Sequence, residues 1–311
     1  MKKSEKFFQL GPAKDCVYVN VRRKARPDPA TRRKAIGDRA AEEAHEFCEG
    51  LWAEYTCPDS TFRSDAKNHF QQRFWEMYLC VAHKRKGFNP VKSGFGDEGP
   101  EFYFMVGEKK VWVEAIAPDR GTGTDAVPKW DRTKIYDEHT NEIILRYTHA
   151  LSTKLEAYNE AVQKGLIGHS DCYIVAINCN LIPTADMGFI VPYPAKAYLG
   201  IGDYTVVMNR DTNKVVDRHF KFQEQIAKEN GAPVNTAPFL SPEYAGISGV
   251  LHSAVDVLNH PPIMGGDFKF LHNPLASQPI ERSVFSFCRQ YIYSRERGEL
   301  QTVEPDKVGC G

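Results

Sequence analysis

No stretch of this 311-residue chain approaches the roughly 18 consecutive apolar residues that a membrane span requires. Lys2, Lys3 and Lys6 near the N-terminus are not followed by the apolar segment of a secretory signal, so a cytoplasmic location is expected. Neither charge is in excess, with 40 Lys and Arg against 40 Asp and Glu, which excludes attraction to nucleic acid by net charge alone. The eight cysteines contain no CxxC pair and no histidine at zinc-ligand spacing, so neither a zinc ribbon nor a thioredoxin-like motif is supported. Reduced thiols are expected, with Cys172 and Cys179 serving as small core residues. There is no GxSxG elbow for nucleophilic serine chemistry, and there is no internal repeat or low-complexity tract.

What is present describes a globular chain. Hydrophobic residues make up 42% and charged residues 26%, enough apolar mass for a sizeable core. The charge balance conceals an asymmetry, because residues 1–40 hold 12 Lys and Arg against 4 Asp and Glu. The surplus concentrates in Arg22, Arg23, Lys24, Arg26, Arg32, Arg33 and Lys34. Such an arm either tracks a phosphate backbone or is a solvated surface segment. Residues 1–40 therefore read as a basic arm, 41–296 as one α/β domain and 297–311 as a mobile tail, with the arm also expected to be mobile.

Periodicity orders the elements. Phe70, Phe74, Met77, Tyr78 and Val81 recur at three- and four-residue steps within 65–85, predicting an amphipathic helix stopped at Lys86-Gly87. A short extended piece (88–91), two strands (100–106 and 110–117) and a loop rich in Gly, Thr, Asp and Pro (118–128) come next. A long helix over 137–164 carries Leu151, Leu155, Tyr158 and Val162 on one stripe. The apolar run DCYIVAIN at 171–178 has the pattern of a strand buried on both faces. The order αβββαβ predicts a mixed central sheet covered by helices, the long helix returning the last strand parallel to a neighbour. Beyond Pro183, strands at 198–208 and 247–257, a short helix at 222–229 and an edge strand at 268–271 are expected to extend the same sheet.

Three carboxylates stand out. Glu101 follows Pro100 at a strand start, Glu114 interrupts the apolar run VWVEAIAP, and Glu76 interrupts FWEMYL on the first helix. Alternation puts Glu114 on the face of Trp112 and Ile116. An ionised carboxylate there is costly unless a cation or hydrogen-bond donors compensate it. An exposed edge-strand face or a satisfied ion pair remains the alternative for Glu114. Gly94 to Gly99 matches GxGxxG literally, but a proline and a strand follow it rather than a helix, so it reads as a hairpin-like loop. His252, His260 and His272 show no metal spacing.

The helix bearing Glu76, the pair Pro100-Glu101 and the segment Glu114-Ala115-Ile116 resemble, in order, the PD-(D/E)xK nuclease superfamily, the restriction-endonuclease-like fold. The resemblance covers about residues 65–180, with 183–296 as a C-terminal extension. The wording GPEF, VWVEAIAP, LRYTHALSTK and HNPLA is also similar to uncharacterised bacterial members. It implies metal-assisted hydrolysis of phosphodiesters, DNA rather than RNA, with no membrane partner. Glu101 and Glu114 would be ligands of Mg²⁺ or Mn²⁺, and Glu76 would join directly or through water.

Ile116 departs from the pattern, since it occupies the place of the motif lysine. Some members take that cation from the following helix, where Arg146, Ala150, Lys154 and Tyr158 recur every fourth residue. Lys154 with Tyr158 resembles the QxxxY signature of exonuclease-like members, Lys standing for Gln, and Arg146 is a competing donor. A solvated helix-face lysine is the other reading. Two further readings stay open: the same fold without catalysis, binding nucleic acid or protein, and an interaction protein with an exposed Glu114 and no metal.

Overall fold

The computed structural model describes residue 7 and residues 32–94, 99–130, 133, 139–188 and 190–306, with side chains in the first helix described from Arg39 onward. Most of the basic arm, including Arg22 to Arg26, and the centre of the glycine-rich loop, residues 95–98, lie outside the described residues.

The helices are α1 (Arg32–Glu54), α2 (Phe62–Asp65), α3 (Phe70–Arg85), α4 (Thr140–Gln163) and α5 (Tyr193–Leu199). Strands β1 (Val91–Lys92), β2 (Phe102–Val106), β3 (Lys109–Ile116), β4 (Cys172–Asn178), β9 (Gly249–Ser253), β10 (Lys269–His272), β11 (Arg289–Ser294) and β12 (Glu299–Val303) form one mixed sheet in the order 1-2-3-4-9-10-11-12. Two separate ribbons pair β5 (Ile201–Asn209) with β6 (Lys214–Phe222), and β7 (Gln225–Ala227) with β8 (Pro233–Asn235). No described helix is long and apolar enough to cross a membrane.

Each element follows from its local sequence. The α3 chain turns off at Gly87, whose φ of 90° suits glycine, and α4 stops before Gly165 at φ 69°. The tight turn at Gly107 (φ 60°) joins β2 to β3 as an antiparallel pair, whereas the 24-residue α4 allows β4 to return parallel to β3. All seven residues of β4 are buried because it lies between parallel β3 and β9 with helices over both faces. Val111, Val113 and Ala115 pack with α1 and α3 around Phe70, Phe74 and Trp75. Trp112 packs on the opposite face with α4 and α5 around Tyr147, Leu151 and Tyr198. Each fully buried aromatic or aliphatic side chain contributes on the order of 1.5–3 kcal/mol, so these two layers hold the sheet between them.

The C-terminal half departs from the sequence pattern in four places. Tyr198 lies in the last turn of α5 rather than starting a strand, because Gly200 caps the helix at φ 63° and a Cβ there would meet the Gln223 carbonyl at 2.9 Å. Residues 222–229 are not helical: Phe222 ends β6, 225–227 form β7 and Glu229 lies in a turn, since β6 and β7 find ladder partners that outweigh local propensity. The β5–β6 ribbon does not join the main sheet. Strand β10 is internal, and the edge is β12, formed by part of the segment expected as a tail. At the other end Phe7, within the arm, is buried against Trp52, Phe62 and Phe70, its backbone N–H donating to Glu49 at 3.0 Å.

Candidate active site

The β2–β3 register pairs Phe102 with Val113, and the Glu101 N–H donates to the Val113 carbonyl at 3.1 Å. One further step along this ladder sets Glu101 against Glu114. Directly opposed antiparallel residues share a face with Cβ atoms about 4.5–5.5 Å apart, so two carboxylates are forced together by strand geometry. From the helix over that face, Lys154 Nζ donates to Glu114 Oε1.

Strand β2 stops at this level, leaving the rest of the β3 edge without a strand partner among the described residues. Gln72 on α3 fills the gap. Its amide nitrogen donates to the Ala115 carbonyl at 3.3 Å, and its oxygen accepts the Ala117 N–H at 2.8 Å. The same nitrogen donates to Glu76 Oε1 at 2.9 Å. Glutamine thus stands in for a missing peptide group and brings the α3 carboxylate to the open edge. Arg73, one residue on, donates to Glu76 (2.8 Å), Asp59 (3.2 Å) and Asp65 (2.9 Å), its guanidinium lying 5.1 Å from the Phe62 ring centre.

Glu76, Glu101, Glu114 and Lys154 consequently line one open cavity of about 520 Å³, together with Arg73 and Gln72. Burial raises the carboxyl pKa of all three glutamates. For Glu76 the opposing pull comes from Arg73 and Gln72, and for Glu114 from Lys154. Glu101 is the extreme case. It accepts no hydrogen bond from a described side chain, and burial, then Glu76, then Glu114, push its carboxyl well above the usual range. Burial disfavours the charge on Lys154, but Glu114, Glu101 and Glu76 outweigh it and hold the ammonium more firmly than usual. The cavity therefore pairs acids crowded by their own charge with two cations that only partly relieve them.

The two remaining residues singled out by sequence stand elsewhere. Arg146 donates to the Asp119 carbonyl at 2.8 Å and to its carboxylate at 3.3 Å, bracing the loop after β3. Tyr158 packs on Tyr173 with ring centres 4.9 Å apart, and its ring closes over Gly246, where any Cβ would clash at 2.2 Å. Neither lines the cavity. The α4 periodicity does not separate them from Lys154, because four-residue spacing drifts around the helix. Conversely Gln72, Arg73, Asp59 and Asp65 carry no signal in sequence spacing beyond the Gln72–Glu76 step of four, since their partners lie on other elements.

Among the described residues no group of three His, Cys, Asp or Glu side chains is arranged to hold a metal ion. As found, the glutamates at two of the three positions are engaged by Lys154 and Arg73. Comparison of the chain with family models, with curated proteins and with solved structures returned no match.

Proposed function

We propose that this cavity is a phosphodiesterase site of the PD-(D/E)xK kind, acting on nucleic acid, DNA rather than RNA, with Mg²⁺ or Mn²⁺. The observation that carries the reading is the convergence of Glu76, Glu101, Glu114 and Lys154, from one helix, two strands and a second helix, on one open cavity. Glu101 fits the role of a metal ligand: it is a crowded carboxylate with no hydrogen-bond donor among the described side chains, and a divalent cation would remove its cost. Glu101 and Glu114 would hold the ion and Glu76 would join directly or through water, the ion supplying Lewis acidity and a bound water of lowered pKa.

The chain's own residues do the rest. Lys154 would take the part of the motif lysine, Ile116 being an apolar side chain packed against the α4 layer. Its ammonium, released from Glu114, offsets charge developing on the phosphate oxygens. Arg73 fixes Glu76 and opposes the effect of burial on its carboxyl. Gln72 holds α3 at the strand edge, so the three acids keep their spacing.

A second reading is favoured by the ion pairs themselves. With Lys154 on Glu114 and Arg73 on Glu76, the site is also that of a nuclease-like module that binds nucleic acid or a protein without cutting it. Incubating purified protein with single- and double-stranded DNA and with RNA, in Mn²⁺, Mg²⁺ or chelator, separates the two. Metal-dependent cleavage lost in Glu101→Gln and Glu114→Gln supports the enzyme. Saturable DNA binding with no product under any condition supports the module.

A further inference from the structure

A second cluster lies on the same α4 side of the sheet as Glu101 and Glu114, farther across the strands. The β9–β10 register sets Lys269 against His252, and the β10–β11 register sets Lys269 against Arg289. Extending the β11–β12 pairing of Gln290 with Val303 by one residue places Glu304 beside Arg289. Directly paired residues share a face, so a histidine, a lysine, an arginine and a glutamate form one row across four strands spaced about 4.8 Å apart. This row lines a cavity of about 250 Å³ that also takes in Tyr291 and Asp186.

Two observations mark the cavity as a site rather than a surface dent. His252 is buried, its Nε2 is 2.6 Å from the Tyr147 hydroxyl, and its Nδ1 has no hydrogen-bond partner among the described residues. A buried polar nitrogen without a partner is costly, and the His252 side chain that carries it is part of the cavity wall. The two cations, moreover, are held by replaceable partners. Lys269 pairs with Asp186 at 2.8 Å and Arg289 with Glu304 at 3.0 Å, but the Asp186 and Glu304 side chains are 51% and 63% exposed. Exposed carboxylates can turn into water at little cost, freeing a lysine and an arginine that stand in adjacent strands.

We infer that this cavity binds a small ligand through an anionic oxygen group, a phosphate or carboxylate held between Lys269 and Arg289, with the neutral His252 ring in the wall beside it. Arginine supplies paired N–H donors suited to such a group, and lysine supplies a point charge. Burial, then the charge of Lys269, depresses the His252 pKa to about 3 despite the opposing effect of Asp186, so the imidazole is neutral near pH 7. The hydrogen bond between the Tyr147 hydroxyl and Nε2 holds the ring in its place in the wall.

Titration calorimetry of the full chain in chelator, with inorganic phosphate and separately with succinate, tests the inference. One saturable site is expected, weakened by about tenfold or more in Lys269→Gln and in Arg289→Gln. The His252 ring nitrogens should shift in ¹⁵N NMR as the site fills, a readout that the glutamate cavity cannot produce. Tighter binding of phosphate identifies a phosphoryl ligand, and tighter binding of succinate a carboxylate. No saturable binding of either up to about 10 mM would overturn the inference, as would binding unchanged in a folded Arg289→Gln. Arg289 is a half-exposed residue near the sheet edge, so its variant decides the matter even if Lys269→Gln fails to fold.

Discussion

The side-chain amide of Gln72 occupies the β3 ladder as a peptide group would, its oxygen accepting the Ala117 N–H at 2.8 Å while its nitrogen reaches the Ala115 carbonyl. One residue thereby completes a sheet edge, fixes the first turn of α3 against it and donates to Glu76. Gln72→Ala should cost about 2–4 kcal/mol in denaturant unfolding, because it leaves two backbone groups and one buried carboxylate short of a partner. A cost below about 1 kcal/mol would mean that water replaces the amide without loss.

Lys154 has a structural as well as a chemical role. Its side chain and that of Glu114 are 18% and 9% exposed, so removing the lysine strands a buried carboxylate. Lys154→Met should lose about 3–5 kcal/mol, and most of this should return in the double variant with Glu114→Gln. Strict additivity in the double-mutant cycle would contradict the pairing. An activity assay on Lys154→Met alone is consequently ambiguous unless the melting temperature is measured beside it.

Glu101 makes stability depend on pH in a direction that can be worked out. Its folded-state pKa lies above the unfolded value. Between the two the folded state binds more protons, so its contribution weakens as pH rises from the unfolded pKa, roughly 4.3, through the raised folded one. Glu101→Gln removes the charge. The variant's melting temperature should therefore gain on the wild type as pH climbs from about 5 to 8, and parallel curves would sink the idea.

Divalent cation should act on the same residue. If Glu101 and Glu114 hold Mn²⁺ or Mg²⁺, the ion stabilises the folded chain by mass action, by about 2.7 kcal/mol at a hundredfold excess over Kd. Melting curves in chelator and in millimolar Mn²⁺ should differ for the wild type and coincide for Glu101→Gln. Identical wild-type curves would leave the metal proposal without support.

His83 predicts the acid limit. It is enclosed by the rings of Phe88, Phe102, Phe104 and Phe268, its Nδ1 lies 2.7 Å from the Leu79 carbonyl, and its Nε2 has no partner among the described residues. Burial lowers its pKa to about 4. The unfolded chain takes up that proton near pH 6.5 and the folded chain does not, so stability falls as pH drops from about 6.5 to 4, by on the order of 3 kcal/mol. His83→Leu should flatten this limb in pH-dependent unfolding. An unchanged slope would assign the acid transition to other groups.

The sequence by itself determined the layers and singled out the two strand carboxylates. Apolar residues every three or four positions from Phe70 to Val81 require a buried helix face, and the unbroken run of β4 requires cover on both sides. Period-two alternation puts Glu114 on the face of Trp112 and Ile116, and the turn, one residue shorter in the structure than the 107–109 read from sequence, then sets Glu101 opposite it. Those are local constraints, carried by the backbone period and a short loop. Only the tertiary structure decided what neutralises the acids. Lys154, Arg146 and Tyr158 look alike at a spacing of four, yet the rotation of α4 on the sheet sends the first to Glu114, the second to Asp119 and the third to Tyr173. Gln72 and Arg73 matter because β2 stops short of the end of β3, and a missing ladder partner is visible only once the strands are aligned. The row from His252 through Lys269 to Arg289 is likewise a matter of register across three strands. Contacts between distant segments depend on where packing leaves backbone groups and charges without water, and no spacing along the chain records that.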